Sequence, residues 1–216
     1  DRYGNFSSPE LVAALDFYLD FFRKGLTPAA SESAISNVWD EFARGYFTFY
    51  LTGPWNIGEF RRRLPADLQD KWMTSILPGP SGPGASSAGG SSLVVFEHSA
   101  HKDLAFQLIE FLSRPEIQQQ FYELSGNLPP RRSSWRGDRL ASDPYVVAFR
   151  EQLERVLPAP KVPEWERIVQ ELRMVTERAV HEKWTAVETA RELDSRIDRI
   201  LEKRRWMLAR EAGAAS

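Results

Sequence analysis

The chain has 216 residues, 42% apolar and 27% charged, with a formal net charge of −2 and a pI near 6.0. That is enough chain to bury a real core, and the balance gives no bulk attraction to nucleic acid or to an anionic membrane. Cysteine is absent, which excludes disulfides, thiol nucleophiles and cysteine metal sites. Apolar runs such as Leu93–Phe96 fall far short of the ~20 residues of a membrane span, so no direct membrane insertion is expected. Asp1-Arg2-Tyr3-Gly4-Asn5-Phe6 is turn-rich and lacks an initiating Met, the expectation for a fragment or processed product.

In chain order, Ser8-Pro9-Glu10 is a helix start, with a capping hydroxyl, a proline suited to the first turn and an acidic group at the positive end. Leu11, Ala14, Leu15, Tyr18, Leu19 and Phe22 follow helical spacing until Gly25. A second helix is expected over Ile35 to Arg44. Tyr46 to Thr52, rich in aromatics and Thr, predicts a buried strand, and Gly53-Pro54 breaks it before Trp55 opens a short helix. Trp72 to Leu77 is a further strand candidate.

Pro78-Gly79-Pro80-Ser81-Gly82-Pro83-Gly84, running into Ala85 to Gly90, cannot hold regular structure. Ser91 to Phe96 predicts one strand, followed by helices over Lys102 to Ser113 and from Pro115 to Gly126. One strand and two helices make too small a core to stand alone, so the Gly/Pro segment reads as a crossing and binding loop within a composite fold. After Asn127-Leu128-Pro129-Pro130-Arg131-Arg132, Pro144 to Val156 predicts a helix. Two long helices end the chain, Glu164 to Glu182 and Thr185 to about Arg210, with fraying expected over Glu211 to Ser216.

Catalytic chemistry is hard to find. His98, His101 and His181 have no partners at ligand spacing, so no metal is expected. No P-loop and no Gly-x-Ser-x-Gly elbow occurs, and no cofactor is called for. Lys203-Arg204-Arg205 and the alternating charges before it read as a solvated helical face. The unusual feature is aromatic: 7 Trp, 13 Phe and 6 Tyr. Most should be core, while Trp55 and Trp165, placed at loop ends, are the exceptions.

Four features occur in an order that resembles the extracellular solute-binding proteins of carbohydrate ABC importers, the group of maltose, trehalose and glycerol-phosphate binders. They are Asn5-Phe6-Ser7-Ser8-Pro9-Glu10 leading to Ala14-Leu15-Asp16-Phe17-Tyr18; Phe42-Ala43-Arg44-Gly45 and then Gly53-Pro54-Trp55; Leu77-Pro78-Gly79-Pro80 followed by Gly89-Gly90; and Ala105 to Phe111 with Arg114-Pro115-Glu116-Ile117-Gln118, closing on Gly126-Asn127-Leu128-Pro129. The tail from Leu193-Asp194 to Trp206 is similar to that of some members. Two departures touch the sugar identity: Phe47 and Phe49 stand where small residues or Met are usual, and the connector before Trp165 lacks the usual Arg and Tyr.

The resemblance implies an α/β, helix-rich, two-lobed periplasmic-binding-protein-like fold of type II, with ligand between the lobes. Family members are about twice this length, as two domains require. Residues 1–76 would be the first part of the C-lobe, 77–128 a hinge crossing with an N-lobe portion, and 129–216 the return crossing with the C-lobe's terminal helices. The implied function is capture of a disaccharide or oligosaccharide such as maltose or trehalose, delivered to ABC transporter permease subunits from the periplasm or cell exterior. A sugar's apolar C–H faces call for flat aromatics and its hydroxyls for planar polar groups. The candidate ligand-binding residues are accordingly Trp55 and Trp165 for stacking, Gly89 and Gly90 for close backbone approach, and Asn127 and Arg131 for hydroxyls. A glycosidase would also stack sugars on Trp, but the loops near Trp55 supply only Glu59 and Asp67. A helical protein-interaction module is the other alternative.

Overall fold

A computed structural model describes residues 2–29, 35, 37–87, 89–136 and 138–214, so Asp1, Ser36 of the expected second helix, Ala88 of the Gly/Pro segment and the last two residues lie outside the described residues. The chain divides into two compact units, one of Asp1–Ser36 with Ala159–Ser216, the other of Asn37–Pro158.

The first unit is helical. α1 (Pro9–Arg23) starts as its sequence dictates: the Ser8 hydroxyl accepts the Leu11 N–H, Pro9 occupies the first turn, and Gly25 follows the end at φ +65°. α8 (Trp165–Glu182) and α9 (Ala186–Ile200) are joined by three residues. Lys183 takes a left-handed conformation to end α8, and Thr185 with Glu188 forms a reciprocal capping box that starts α9. Leu15 and Leu19 from α1 join Ile168, Val175 and Ala179 from α8 and Ala190, Leu193 and Ile197 from α9 in one core. Ala179 and Ala190 are fully buried, and their small side chains let the helices approach closely. The single terminal helix expected over Thr185 to Arg210 is interrupted at Leu201, after which α10 (Glu202–Ala214) continues past the expected fraying point.

The segment before α1 is tied to α9 by two carboxylates. Asp194 accepts the N–H groups of Phe6 (2.7 Å) and Ser7 (2.9 Å), and Asp198 accepts that of Gly4 (2.9 Å). A Cβ on Gly4 would stand 2.6 Å from Asp194 Oδ1, so only glycine fits beneath this clamp.

The second unit contains α2 (Val38–Ala43), α3 (Trp55–Arg63), α4 (Lys102–Leu112), α5 (Pro115–Ser125), α6 (Asp138–Ser142) and α7 (Pro144–Leu153). Its core gathers Ile57, Trp135, Leu140 and Val146, with Trp72, Tyr122, Leu128, Tyr145 and Phe149 packed around them. A run of rings, Phe42, Phe60, Trp72 and Tyr145, links α2 to α7 at centroid spacings of 5.0, 5.0 and 4.1 Å.

Three expected strands do not form. Residues 46–52, 72–77 and 91–96 are extended or irregular but unpaired. Phe49 is 87% exposed and Leu51 77%, so the aromatic-rich stretch is not buried. β-propensity describes fit to a sheet, and an isolated strand with no neighbour has nowhere to place its N–H and C=O groups. The sheet content of the described residues is four two-residue strands: β1 (Pro78–Gly79) antiparallel to β2 (Gly82–Pro83), and β3 (Ser86–Ser87) parallel to β4 (Val156–Leu157). The loop expected to lack regular structure therefore makes a minimal hairpin. Gln152 closes it, accepting the Leu77 N–H (2.8 Å) and donating to the Gly84 carbonyl (3.0 Å). α2 starts at Val38 instead of Ile35, where Asn37 accepts the Asp40 N–H, and α7 stops at Leu153, freeing Val156 for β4.

Candidate functional site

Trp55 is the first residue of α3, and Asn56, Ile57 and Phe60 turn inward from that helix, which leaves the Trp55 side chain 55% exposed. The loop before it is braced. Asn56, buried, accepts the Trp39 indole N–H (3.2 Å) and donates to the Thr52 hydroxyl (2.6 Å). Arg63, one side of α3, stacks its guanidinium 4.2 Å from the Trp39 ring centre and donates to Glu59 at 2.6 Å. Arg62 also pairs with Glu59. The Arg63 contact first, and Arg62 second, hold the Glu59 carboxyl below the usual glutamate range.

α5 ends at Gly126 in the left-handed conformation (φ +75°), its N–H donating to the Tyr122 carbonyl at 2.7 Å. Gly126 lies against Gly58 of α3, so the turn that carries Asn127 abuts the helix that carries Trp55. The chain beyond is pinned on the buried side: Leu128 packs on the core, and Trp135 donates its indole N–H to the Pro129 carbonyl at 2.8 Å. Asn127 and Arg131 stay exposed, the latter with its carbonyl accepting the Ser134 N–H. Arg132 is instead occupied by a two-pronged ion pair with Glu154 (2.6 and 2.9 Å).

Gly89 and Gly90 lie on exposed backbone, and no atom stands within 4 Å of where a Cβ of either would be. Gly90 has φ +152°, so glycine is required there by conformation. Trp165 belongs to the first unit, half-buried against its core. The arrangement thus joins Trp55 and Asn127 on adjacent elements of one unit. Sequence reasoning missed Thr52, Asn56 and Trp39 as the supports of Trp55; the position of Thr52 and Asn56 on either side of Gly53-Pro54-Trp55 was the available signal. Among the described residues no group of three or more His, Cys, Asp or Glu could hold a metal ion. No helix among the described residues is long and apolar enough to cross a membrane.

The geometry thus sets an exposed aromatic at a helix start near a capped, polar turn. Residues 1–148 match the bacterial extracellular solute-binding protein family, and the chain belongs to that family. It is similar to the sugar-binding protein MalE of Xanthomonas citri, with 51% identity and a TM-score of 0.91, covering 96% of this chain and 53% of that one. MalE of Listeria monocytogenes, solved with maltose, shares the fold at 20% identity and a TM-score of 0.75, covering 94% of this chain and 54% of that one. A binding protein of Brucella abortus is 25% identical over 170 residues, 78% of this chain and 41% of its own length. The chain therefore spans about half the length of these relatives, and its fold is that of type II periplasmic sugar-binding proteins, helix-rich as represented here.

Proposed function

We propose that this chain carries part of the substrate-binding component of an ABC importer, which captures a carbohydrate such as maltose or trehalose and delivers it to membrane permease subunits outside the cytoplasm. The observation that carries the reading is Trp55, held exposed at the start of α3 next to the Gly126–Asn127 turn. An indole offers a flat apolar face to sugar C–H groups, and Asn127 can both donate to and accept from hydroxyls. The 51% identity to a sugar-binding MalE over nearly the whole chain supports the same class of ligand.

The protein binds and does not turn over its ligand. A glycosidase needs a carboxyl acid with a raised pKa, whereas Glu59, four residues after Trp55, is tied to two arginines that favour its charged form. Residues 77–128 form a hinge crossing with an N-lobe portion in this reading, and 1–76 and 129–216 belong to the C-lobe. Gly89, Gly90, Arg131 and Trp165 complete the ligand-binding set when the lobes close.

The test is a thermal-shift screen of sugars on a two-lobed chimera, in which this chain is joined to the part of the Xanthomonas citri fold that it does not cover. A ligand that binds the folded state raises the melting temperature, with the logarithm of the ligand excess over Kd. Maltose, maltotriose or trehalose should do so with no product formed. A shift with none of them, or release of glucose, overturns the reading.

A further inference from the structure

The ring of Trp55 does not hang free, although it is exposed. It folds back over Gly53, where the three heavy atoms nearest to an added Cβ all belong to the Trp55 ring and all fall within clash distance. Gly53 is buried and is not among the glycines with positive φ, so its backbone conformation suits alanine, and the nearest conflict is with the ring. The loop that carries the ring is fixed by the chain of hydrogen bonds from Trp39 to Asn56 to Thr52, with Asn56 only 6% exposed. A buried amide whose donor and acceptor are both used is held in one orientation, and the backbone at 52–56 with it.

We infer that Gly53 and Asn56, the latter through Trp39 and Thr52, are positioning residues that fix the plane of the Trp55 ring before ligand arrives; this rests on reading Trp55 as the stacking face for sugar. A plate held in place does not have to be ordered on binding, and ordering a large side chain is one of the costs that limit affinity. The missing side chain at position 53 is therefore what gives the ring its seat.

The experiment is ¹⁹F NMR of the 216-residue chain labelled with 5-fluorotryptophan, the Trp55 signal being identified by its loss in Trp55→Phe. Gly53→Ala should shift or broaden the Trp55 signal while the buried Trp135 signal stays in place. Thr52→Val, which removes the hydroxyl acceptor at an exposed position, should also broaden it, and Thr52→Ser should not. In the two-lobed chimera labelled in the same way, titration with maltose should move the Trp55 signal, with half-saturation in Gly53→Ala roughly fivefold higher, the size expected when one large side chain must be ordered. A Trp55 signal unchanged in both Gly53→Ala and Thr52→Val overturns the positioning role. A Trp55 signal that responds to these variants but does not respond to maltose in the chimera leaves the positioning role standing and removes the sugar reading.

Discussion

Gly126 sits against Gly58: a Cβ on Gly126 would stand 3.9 Å from the Gly58 nitrogen, and Gly126 itself has φ +75°. This contact brings the C-terminal cap of α5 onto α3 and places Asn127 next to the helix of Trp55. Space at Gly126 is adequate, so the demand is conformational. Gly126→Ala is expected to cost about 1–3 kcal/mol of stability, the usual penalty for forcing a side chain into the left-handed region. Urea unfolding checks this, with Gly58→Ala, a helical position open to a Cβ, as the variant expected to be neutral or stabilising.

Trp55→Ala should weaken maltose binding by the two-lobed chimera. Removal of a stacking anchor at the centre of a site costs about 2 kcal/mol or more. Calorimetry reads the loss, and circular dichroism should show the fold unchanged because the side chain is exposed. Unchanged affinity in the folded variant would take Trp55 out of the site.

Gly89 and Gly90 separate two explanations for a glycine pair. Neither has a neighbour within 4 Å of an added Cβ, but only Gly90 has a φ that disfavours a side chain. Gly89→Ala should leave stability near its starting value and weaken maltose binding, because it adds a side chain where the backbone is offered to the sugar. Gly90→Val should abolish measurable binding with the core of the fold intact, because it changes the path of the backbone offered to the sugar. Normal binding by Gly90→Val identifies the loop as a surface feature only.

The helical unit should lose stability in acid through its capping box. The Thr185 backbone N–H, and then its hydroxyl, hold the Glu188 carboxyl below the ordinary glutamate range. The unfolded chain therefore binds the proton at higher pH than the folded chain does. The contribution is fully present above the ordinary glutamate value and fades as pH falls through the depressed folded value. Thermal melts of wild type and Glu188→Gln should differ most near neutral pH and converge in acid. A difference that does not change with pH contradicts the assignment.

The helices were legible in the sequence because their ends are written in local chemistry. Ser8-Pro9, Thr185-x-x-Glu188, Gly25 and Gly126 specify start and stop without help from the rest of the fold. The strands were not. Tyr46 to Thr52 has the composition of a sheet strand, yet a strand depends on neighbours, and none pairs with it among the described residues. Likewise Leu104, Phe106 and Phe111 give α4 a helical run of apolar residues, but their exposure of 43–63% follows from what surrounds the helix. The site followed the same rule. Trp55 stood out beside Gly53-Pro54, whereas the Trp39–Asn56–Thr52 support spans 17 residues and depends on how α2 meets α3.

In the proposed arrangement sugar is held between two lobes, and this chain supplies the C-lobe face with Trp55 on it together with an N-lobe portion within residues 77–128. A ligand favours the closed state only through contacts that exist in that state, so a chain spanning about half of its relatives should offer only part of the differential. Isothermal titration of maltose and trehalose into the 216-residue chain and into the two-lobed chimera measures this directly. The chimera should bind at least one of them, and the chain alone should bind it at least tenfold more weakly, a deficit of ~1.4 kcal/mol. Equal affinity in the two would show that the site is complete within residues 1–216, and the two-lobe placement would then be wrong.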